Sequence, residues 1–308
     1  MGFGKGFGKT ILFGEHFVVY GLPAIASAIT SSTTAQVKRI KGSQYRIIDN
    51  RPETPGYKKQ KESQQEESIK LIFRFLGINP EKTPVEITLG GDLIAASGVG
   101  ASAASCAAIA RALNEEFSLG LNDKQINEAA FEGEKGYHGT PSGIDNTAAV
   151  YGGLIRFKKE EKGIQIKKIK IKPVEIVLGN TGITSDTAKV VGEVKKAKEE
   201  KPKEFEKIFK EYAKIEKNAI KAFQNNNLEK IGKLMNENQE LLKQIGVSCK
   251  ELEELIEIAR QNGAIGAKLT GTGRGGLMVA LTPGKELQEK VAKAIEKTGK
   301  TAFRTRIG

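Results

Sequence analysis

Residues 95 to 105 read Ala95-Ala96-Ser97-Gly98-Val99-Gly100-Ala101-Ser102-Ala103-Ala104-Ser105, a stretch almost without side-chain bulk that runs straight into the helix-forming segment Cys106 to Phe117. Just upstream, Val85, Ile87 and Leu89 alternate with polar partners, as a half-buried strand should. A strand, a glycine-rich turn and a helix start therefore stand in series. The first N–H groups of a helix have no intrahelical acceptor, and the helix dipole adds partial positive charge there. With only small residues around them, those groups cradle a phosphate, and the hydroxyl of Ser102 suits a magnesium ion on the same phosphates. The same residues also suit a small-residue helix packed closely against a sheet. Neither of two familiar phosphate signatures is present: no Gly-Lys-Ser/Thr closes a P-loop, and no third glycine with a following acid completes a dinucleotide fingerprint.

Composition narrows the class. The 308 residues include 39% hydrophobic positions, enough for a packed core, and the length suits two modest domains. The two cysteines, Cys106 and Cys249, are far apart, which excludes a disulfide framework and a four-cysteine zinc site and points to a reducing compartment. No apolar run reaches the ~18 residues of a membrane span, and Met1 to Lys9 lacks an apolar signal core. A soluble cytoplasmic protein is expected. The net charge of +12 is compatible with nucleic acid, an anionic membrane surface or an anionic small substrate. Its distribution favours the last, since lysines mix with glutamates along segments such as Lys195 to Lys221 with few aromatics between them. Neither a nucleic-acid partner nor a membrane partner is expected.

Along the chain, the apolar runs Thr10 to Phe13 and Phe17 to Tyr20, around Gly14-Glu15-His16, predict two strands and a tight turn. Strand character continues through Ala24 to Ile29, Ala35 to Ile40 and Tyr45 to Ile48. Ser68 to Leu76 has helical spacing with Gly77 as its stop, and Asp123 to Gly136 is helical in period. Ile164 to Lys172 reads as an edge strand guarded by lysines. From Thr187 to Gly263 long amphipathic helices follow, with Phe205, Ile208, Phe209, Tyr212 and Ile215 forming one core stripe. The end returns to strand, turn, strand and one helix, with a second glycine-rich turn at Thr270 to Gly276.

Three segments in this order, Gly8 to Gly21, Gly98 to Ala104 and Gly271 to Gly276, resemble the three motifs of the GHMP small-molecule kinases. Gly14-Glu15-His16 followed by Val18-Val19-Tyr20-Gly21 is similar to the mevalonate kinase branch, as is the segment from Gly133-Glu134 through His138-Gly139-Thr140-Pro141-Ser142-Gly143-Ile144-Asp145-Asn146. Both histidines of the chain, His16 and His138, fall inside these motifs. The resemblance implies an α+β GHMP kinase fold, with a ribosomal-protein-S5-like N-terminal domain over residues 1–175 and a ferredoxin-like C-terminal domain over residues 176–308, the boundary lying near Pro173 to Gly182. It also implies ATP as co-substrate, Mg2+ as cofactor, mevalonate as acceptor and a homodimer as a frequent assembly. Other kinases of the same fold, acting on phosphomevalonate, a sugar or homoserine, are the nearest alternative; a regulator that only binds nucleotide is a more distant one.

Residue by residue, the resemblance makes Asp145 the base for the substrate hydroxyl and Lys9 the cation beside it. Gly98, Val99, Gly100, Ala101, Ser102, Ala103 and Ala104 become the phosphate cradle. Ser102 and Glu134 become magnesium ligands. Glu15, His16, Arg156, Gly271 and Thr272 contact the acceptor, with Arg156 suited to a carboxylate. Without these motifs, Asp145 and Glu134 read as a helix cap and a surface charge, His16 as a buried histidine and Arg156 as a partner for Glu160. The adenine contacts are not identified by the motifs and are expected in the weakly matching stretch Tyr45 to Gln65. The chain departs from the family pattern at Gly6-Phe7-Gly8, at Ala95-Ala96, at Ala101 in place of a serine, and at Arg274 where most relatives carry glycine. Arg274 either reaches an anionic group or points to solvent.

Overall fold

The structure, a computed structural model, describes residues 1–53, 55–95, 98–160 and 163–308. Ala96, part of one departure from the family pattern, and Ser97 lie outside the described residues. In chain order come β1 (Gly2–Phe13), β2 (Ala24–Arg39), β3 (Arg46–Asp49), α1 (Tyr57–Phe75), β4 (Val85–Gly91), α2 (Ala101–Glu116), α3 (Asp123–His138), α4 (Ile144–Tyr151), β5 (Leu154–Glu160), β6 (Gly163–Ile169) and β7 (Val174–Asn180). These are followed by α5 (Thr187–Glu200), α6 (Pro202–Gln224), α7 (Leu228–Gln244), α8 (Lys250–Gln261), β8 (Gly266–Thr270), β9 (Leu277–Leu281), α9 (Lys285–Glu296) and β10 (Thr301–Ile307).

Two compact units result. One contains Met1–Lys9 and Ala28–Gly152; the other contains Thr10–Ser27 and Gly153–Gly308. The cut expected from the sequence, between 175 and 176, falls inside β7, and the chain divides instead at the glycine pair Gly152-Gly153. A second difference is that residues 10–27, early in the sequence, belong with the later unit. The two units therefore exchange chain through β1 and β2, which no composition shift announces.

In the first unit, β4 pairs antiparallel with β2 and parallel with β3. One face of this sheet buries Ala35, Val37, Ile87 and Leu89 against Ile69, Ile72 and Phe73 of α1, the alanines of α2, and Ile126 and Ala129 of α3. The β1 strand starts at Gly2, well before the expected Thr10, and its early glycines have a packing reason. A Cβ on Gly2, Gly4 or Gly6 would lie 2.1, 2.0 and 2.1 Å from the carbonyl oxygens of Ala112, Ala108 and Ala104 on α2. Two residues of strand advance ~6.6 Å and four residues of helix ~6.0 Å. Glycine at every second strand position thus keeps step with alanine at every fourth helix position, and the two backbones touch. The expected helix of small residues packed closely on a sheet is found from Ala101 onward.

In the second unit, β10, β7, β9 and β8 form an antiparallel sheet in that order. Helices α7 and α8 pack on β8, and α9 on β7 and β10. Ala24 to Ser27 of β2 pair with β5, which forms a hairpin with β6. Phe17–Tyr20 is a single 3-10 turn rather than the expected strand, opened by His16 at φ 60° and closed by Gly21 at φ 79°. Four apolar residues in a row carry no periodicity that separates strand from helix.

Candidate active site

In the first unit, α2 begins at Ala101 with Gly100 as its cap, in left-handed geometry and with no side-chain hydrogen bond at the helix start. The first-turn N–H groups of Ala101, Ser102 and Ala103 are thereby left for an external acceptor. Glycine is required at position 100 twice over: φ is 73°, and a Cβ would sit 2.8 Å from Cγ of Lys9. The Lys9 stem lies across this glycine, and the Lys9 N–H donates to the Val99 carbonyl at 2.8 Å. At the far end of the side chain, Nζ is 3.1 Å from Oδ1 of Asp145. The lysine side chain is 6% exposed and the aspartate 31%, so the cation is locked while the carboxylate faces outward.

Asp145 stands in the first turn of α4, where the helix dipole favours a carboxylate. Its neighbour Asn146 turns inward and donates to the carbonyl and side-chain oxygens of Asn127 on α3, at 3.2 and 2.8 Å, while Thr147 donates to the Gly143 carbonyl at 2.6 Å. This short helix is thus pinned to α3. Along α3, Gly133 and Gly136 have no room for a Cβ, which would meet Ile72 at 2.8 Å and the Ser68 backbone at 2.4 Å on α1. That close crossing of α1 and α3 fixes Glu134.

Glu134 is 1% exposed and makes no ion pair among the described residues. Burial, then the nearby Asp145 carboxylate, push its pKa up to about 8 against opposing effects of Ser102 and Lys9. Ser102 Oγ also lies 3.4 Å from Nε2 of His138, whose pKa is lowered by burial. Beside Ser102 a cavity is lined by Asp49, Arg51, Tyr57, Lys61, Gln65 and Tyr137. Arg51 holds Asp49 in a two-point pair, Nε to Oδ1 at 2.9 Å and Nη2 to Oδ2 at 2.6 Å, and donates to Ser105 on α2.

The second unit contains Glu15, His16, Arg156, Gly271 and Thr272, of which His16 and Thr272 are in direct contact. Glu15 is buried and paired with Lys268, Nζ to Oε1 at 2.5 Å, both side chains fully buried. His16 Nε2 donates to the Thr272 carbonyl at 2.7 Å. Burial holds the imidazole pKa below its ordinary value, the Thr272 bond opposes this, and the Arg274 charge adds to it. A carbonyl only accepts, so the neutral ring carries its proton on Nε2 and presents Nδ1 as a bare acceptor, buried and without a partner. The turn holding Gly271 and Thr272 is tied back to the early segment by Thr270, whose Oγ1 accepts from the Ile11 N–H at 3.0 Å and donates to the Ile11 carbonyl at 2.9 Å.

Arg156 pairs with Glu216 of α6, Nε to Oε1 at 2.7 Å, whereas Glu160 takes Lys158. Arg274, at φ 51°, is held by protein partners: Nε donates to the Gly246 carbonyl at 2.9 Å and Nη1 to Glu193 on α5. Sequence reasoning missed Lys268, Glu216 and Arg51. A signal existed for the first two. Lys268 is the one charge in the strand Gly266–Thr270, and Glu216 follows directly on the apolar stripe of α6.

A helix start cleared of side chains, with a lysine–carboxylate pair at its edge and a buried acid one helix away, defines an enzyme that moves a phosphoryl group onto a small molecule. The family described as GHMP kinases N terminal domain matches residues 66–153, and GHMP kinases C terminal matches residues 219–301. The mevalonate kinase of Pyrococcus abyssi is 36% identical, covering 97% of this chain and 93% of its own. A crystal structure of L. major mevalonate kinase in complex with R-mevalonate covers all of this chain and 96% of its own at 40% identity, with a TM-score of 0.95. The Methanococcus jannaschii mevalonate kinase is 27% identical with a TM-score of 0.82, covering 99% of this chain and 98% of its own. The chain belongs to the mevalonate kinases, within the GHMP kinase family.

Proposed function

We propose that this enzyme transfers the γ-phosphoryl group of ATP to the 5-hydroxyl of mevalonate, giving 5-phosphomevalonate and ADP. The observation that carries the reading is the Lys9–Asp145 pair at 3.1 Å, one partner buried and the other open. Asp145 accepts the hydroxyl proton as the new O–P bond forms and the bond from the γ-phosphorus to ADP breaks. Lys9 neutralises charge that develops on the attacking oxygen, and the N–H groups of Ala101, Ser102 and Ala103 hold phosphate oxygens in place. The His16 Nδ1 lone pair accepts from a second substrate hydroxyl. Arg156 takes the carboxylate, which a guanidinium binds by two parallel bonds.

Magnesium fits the residues present. Glu134 is a buried acid with no ion pair among the described residues, and Ser102 beside it offers a hydroxyl, a hard-oxygen pair suited to an ion that completes its shell with water and phosphate. When bound, the ion supplies further neutralisation of the phosphates. No helix among the described residues is long and apolar enough to cross a membrane. With both cysteines free, we place the enzyme in a reducing cytoplasm.

The test is ADP release against mevalonate, phosphomevalonate and galactose side by side. Mevalonate is expected to give the highest kcat/KM. Asp145→Asn is expected to lower kcat by roughly 10³-fold with nucleotide affinity retained, the scale of a general base. Full turnover in that variant removes Asp145 from the role, and a better rate with another acceptor removes mevalonate.

A further inference from the structure

We propose that Glu216 is a positioning residue for substrate recognition: it fixes the guanidinium of Arg156 so that both Nη groups are presented to the substrate carboxylate. This deepens, and rests on, the reading of Arg156 as the carboxylate's partner.

The sequence places Glu216 against the local pattern. Helix α6 buries Phe205, Ile208, Tyr212, Ile215, Ala219 and Phe223, and Glu216 is buried with them, 4% exposed. A carboxylate on such a face is costly unless paired, and a well-packed apolar side chain of similar volume would usually stabilise the helix more. Its partner is Arg156 on β5, held through Nε at 2.7 Å. The opposite strand position is Ile25, so the pair sits at the β2–β5 seam.

The side chain one turn earlier on α6 anchors the same seam. Tyr212 is fully buried, its hydroxyl donates to the Pro23 carbonyl at 2.6 Å, and its ring stacks on Phe17 at 4.0 Å and 2°. Gly14 leaves space for this arrangement, since a Cβ there would be 2.9 Å from the Tyr212 hydroxyl and 2.5 Å from Ala24. Helix α6 is therefore held against Pro23 by one residue and grips Arg156 by the next on that face.

The grip uses one edge of the guanidinium. A guanidinium carries five N–H donors, one on Nε and four on the two Nη groups. Among the described residues neither Nη of Arg156 has a protein acceptor, and the side chain is 25% exposed. An ion pair made only for stability would bury the remaining donors or satisfy them. Here the ion pair holds the group at Nε and leaves the Nη donors for another acceptor, and two such donors bind a carboxylate end-on by two parallel bonds.

The experiment is steady-state kinetics on the full-length enzyme with Glu216→Gln, Arg156→Met, Arg156→Lys and the Glu216→Gln/Arg156→Met pair. Glutamine keeps the volume and one acceptor but removes the charge. In Glu216→Gln the KM for mevalonate is expected to rise roughly tenfold while kcat and the KM for ATP stay within about twofold, the signature of lost ground-state binding at one substrate. In the Arg156→Met background the same change should add nothing, because two residues acting through one contact are not additive. Arg156→Lys, which keeps the charge but has no planar fork, should resemble Arg156→Met; it also decides the matter if Glu216→Gln does not fold. Additive effects, a fall confined to kcat, or a lysine variant equal to wild type overturns the proposal. An Arg156→Met enzyme with unchanged KM for mevalonate overturns the reading of Arg156 itself, and the proposal with it.

Discussion

Two helix contacts in this molecule are built in opposite ways. Helix α2 meets β1 with nothing between the backbones, glycine against alanine carbonyls, whereas α6 meets the β2–β5 seam through Tyr212 stacked on Phe17 and Glu216 paired with Arg156. The chemistry assigned to each explains the contrast. A phosphate is bound by main-chain N–H groups, so side chains are in the way and rigidity comes from close backbone approach. A carboxylate and hydroxyls are read by side chains, which must be held in one rotamer by partners that are themselves buried.

The contrast is broken most severely at the second contact's neighbour, the Lys268–Glu15 pair. Lys268→Met leaves the Glu15 carboxylate buried without its cation, and denaturant unfolding should show a loss of about 3–5 kcal/mol, part of it regained by adding Glu15→Gln. A loss below about 1 kcal/mol would mean that water reaches the carboxylate and that this unit is not held by buried charge.

On the other side, Glu134 makes the first unit sensitive to pH without any side-chain latch. Its carboxyl pKa in the folded protein, about 8, lies above the ordinary value of 4.5 in the unfolded chain. The associated stability is fully present below pH 4.5 and is lost as pH rises through 8. Metal-free enzyme should therefore lose on the order of 4–5 kcal/mol across that window relative to Glu134→Gln. Parallel unfolding curves for the two proteins over pH 5 to 9 are the check. Coincident pH profiles would show that the acid is ionised throughout.

The smallest effect sharpens the backbone contact itself. Gly4→Ala directs a methyl at the Ala108 carbonyl, and thermal unfolding should report about 1–3 kcal/mol of overpacking, with a raised KM for ATP because the displaced helix carries the cradle. Gly8→Ala, which meets only the side-chain ends of Leu93 and Ile29, should cost less. Equal costs would show that the strand moves freely over the helix.

How far these features are legible in the chain follows the same division. Residues 98–104 announce themselves because their chemistry is local: a turn, a helix start and no bulk. Asp145 and Lys9, far apart in sequence, became a pair only through the family pattern. The early glycines carry no local signal of their role, because their meaning depends on α2, a hundred residues on. Glu216 and Lys268 were hidden in the opposite sense, as single charges in apolar elements whose partners, Arg156 and Glu15, no periodicity identifies. The cut near residue 175 failed to anticipate a chain that passes between units within β1 and β2.

The strand and helix repeats that run together at β1 and α2 differ by ~0.6 Å per step, and so behave like the two scales of a vernier. After Gly6 the scales part: Gly8 meets Leu93 and Ile29, and Gly100, the next mark along the helix, is met by the Lys9 stem. Insertions and deletions in these two elements are consequently linked. Losing two residues before Gly6 is tolerable only with the loss of a four-residue turn from the far end of α2, and an odd change in the strand turns every glycine away from the helix and every side chain towards it.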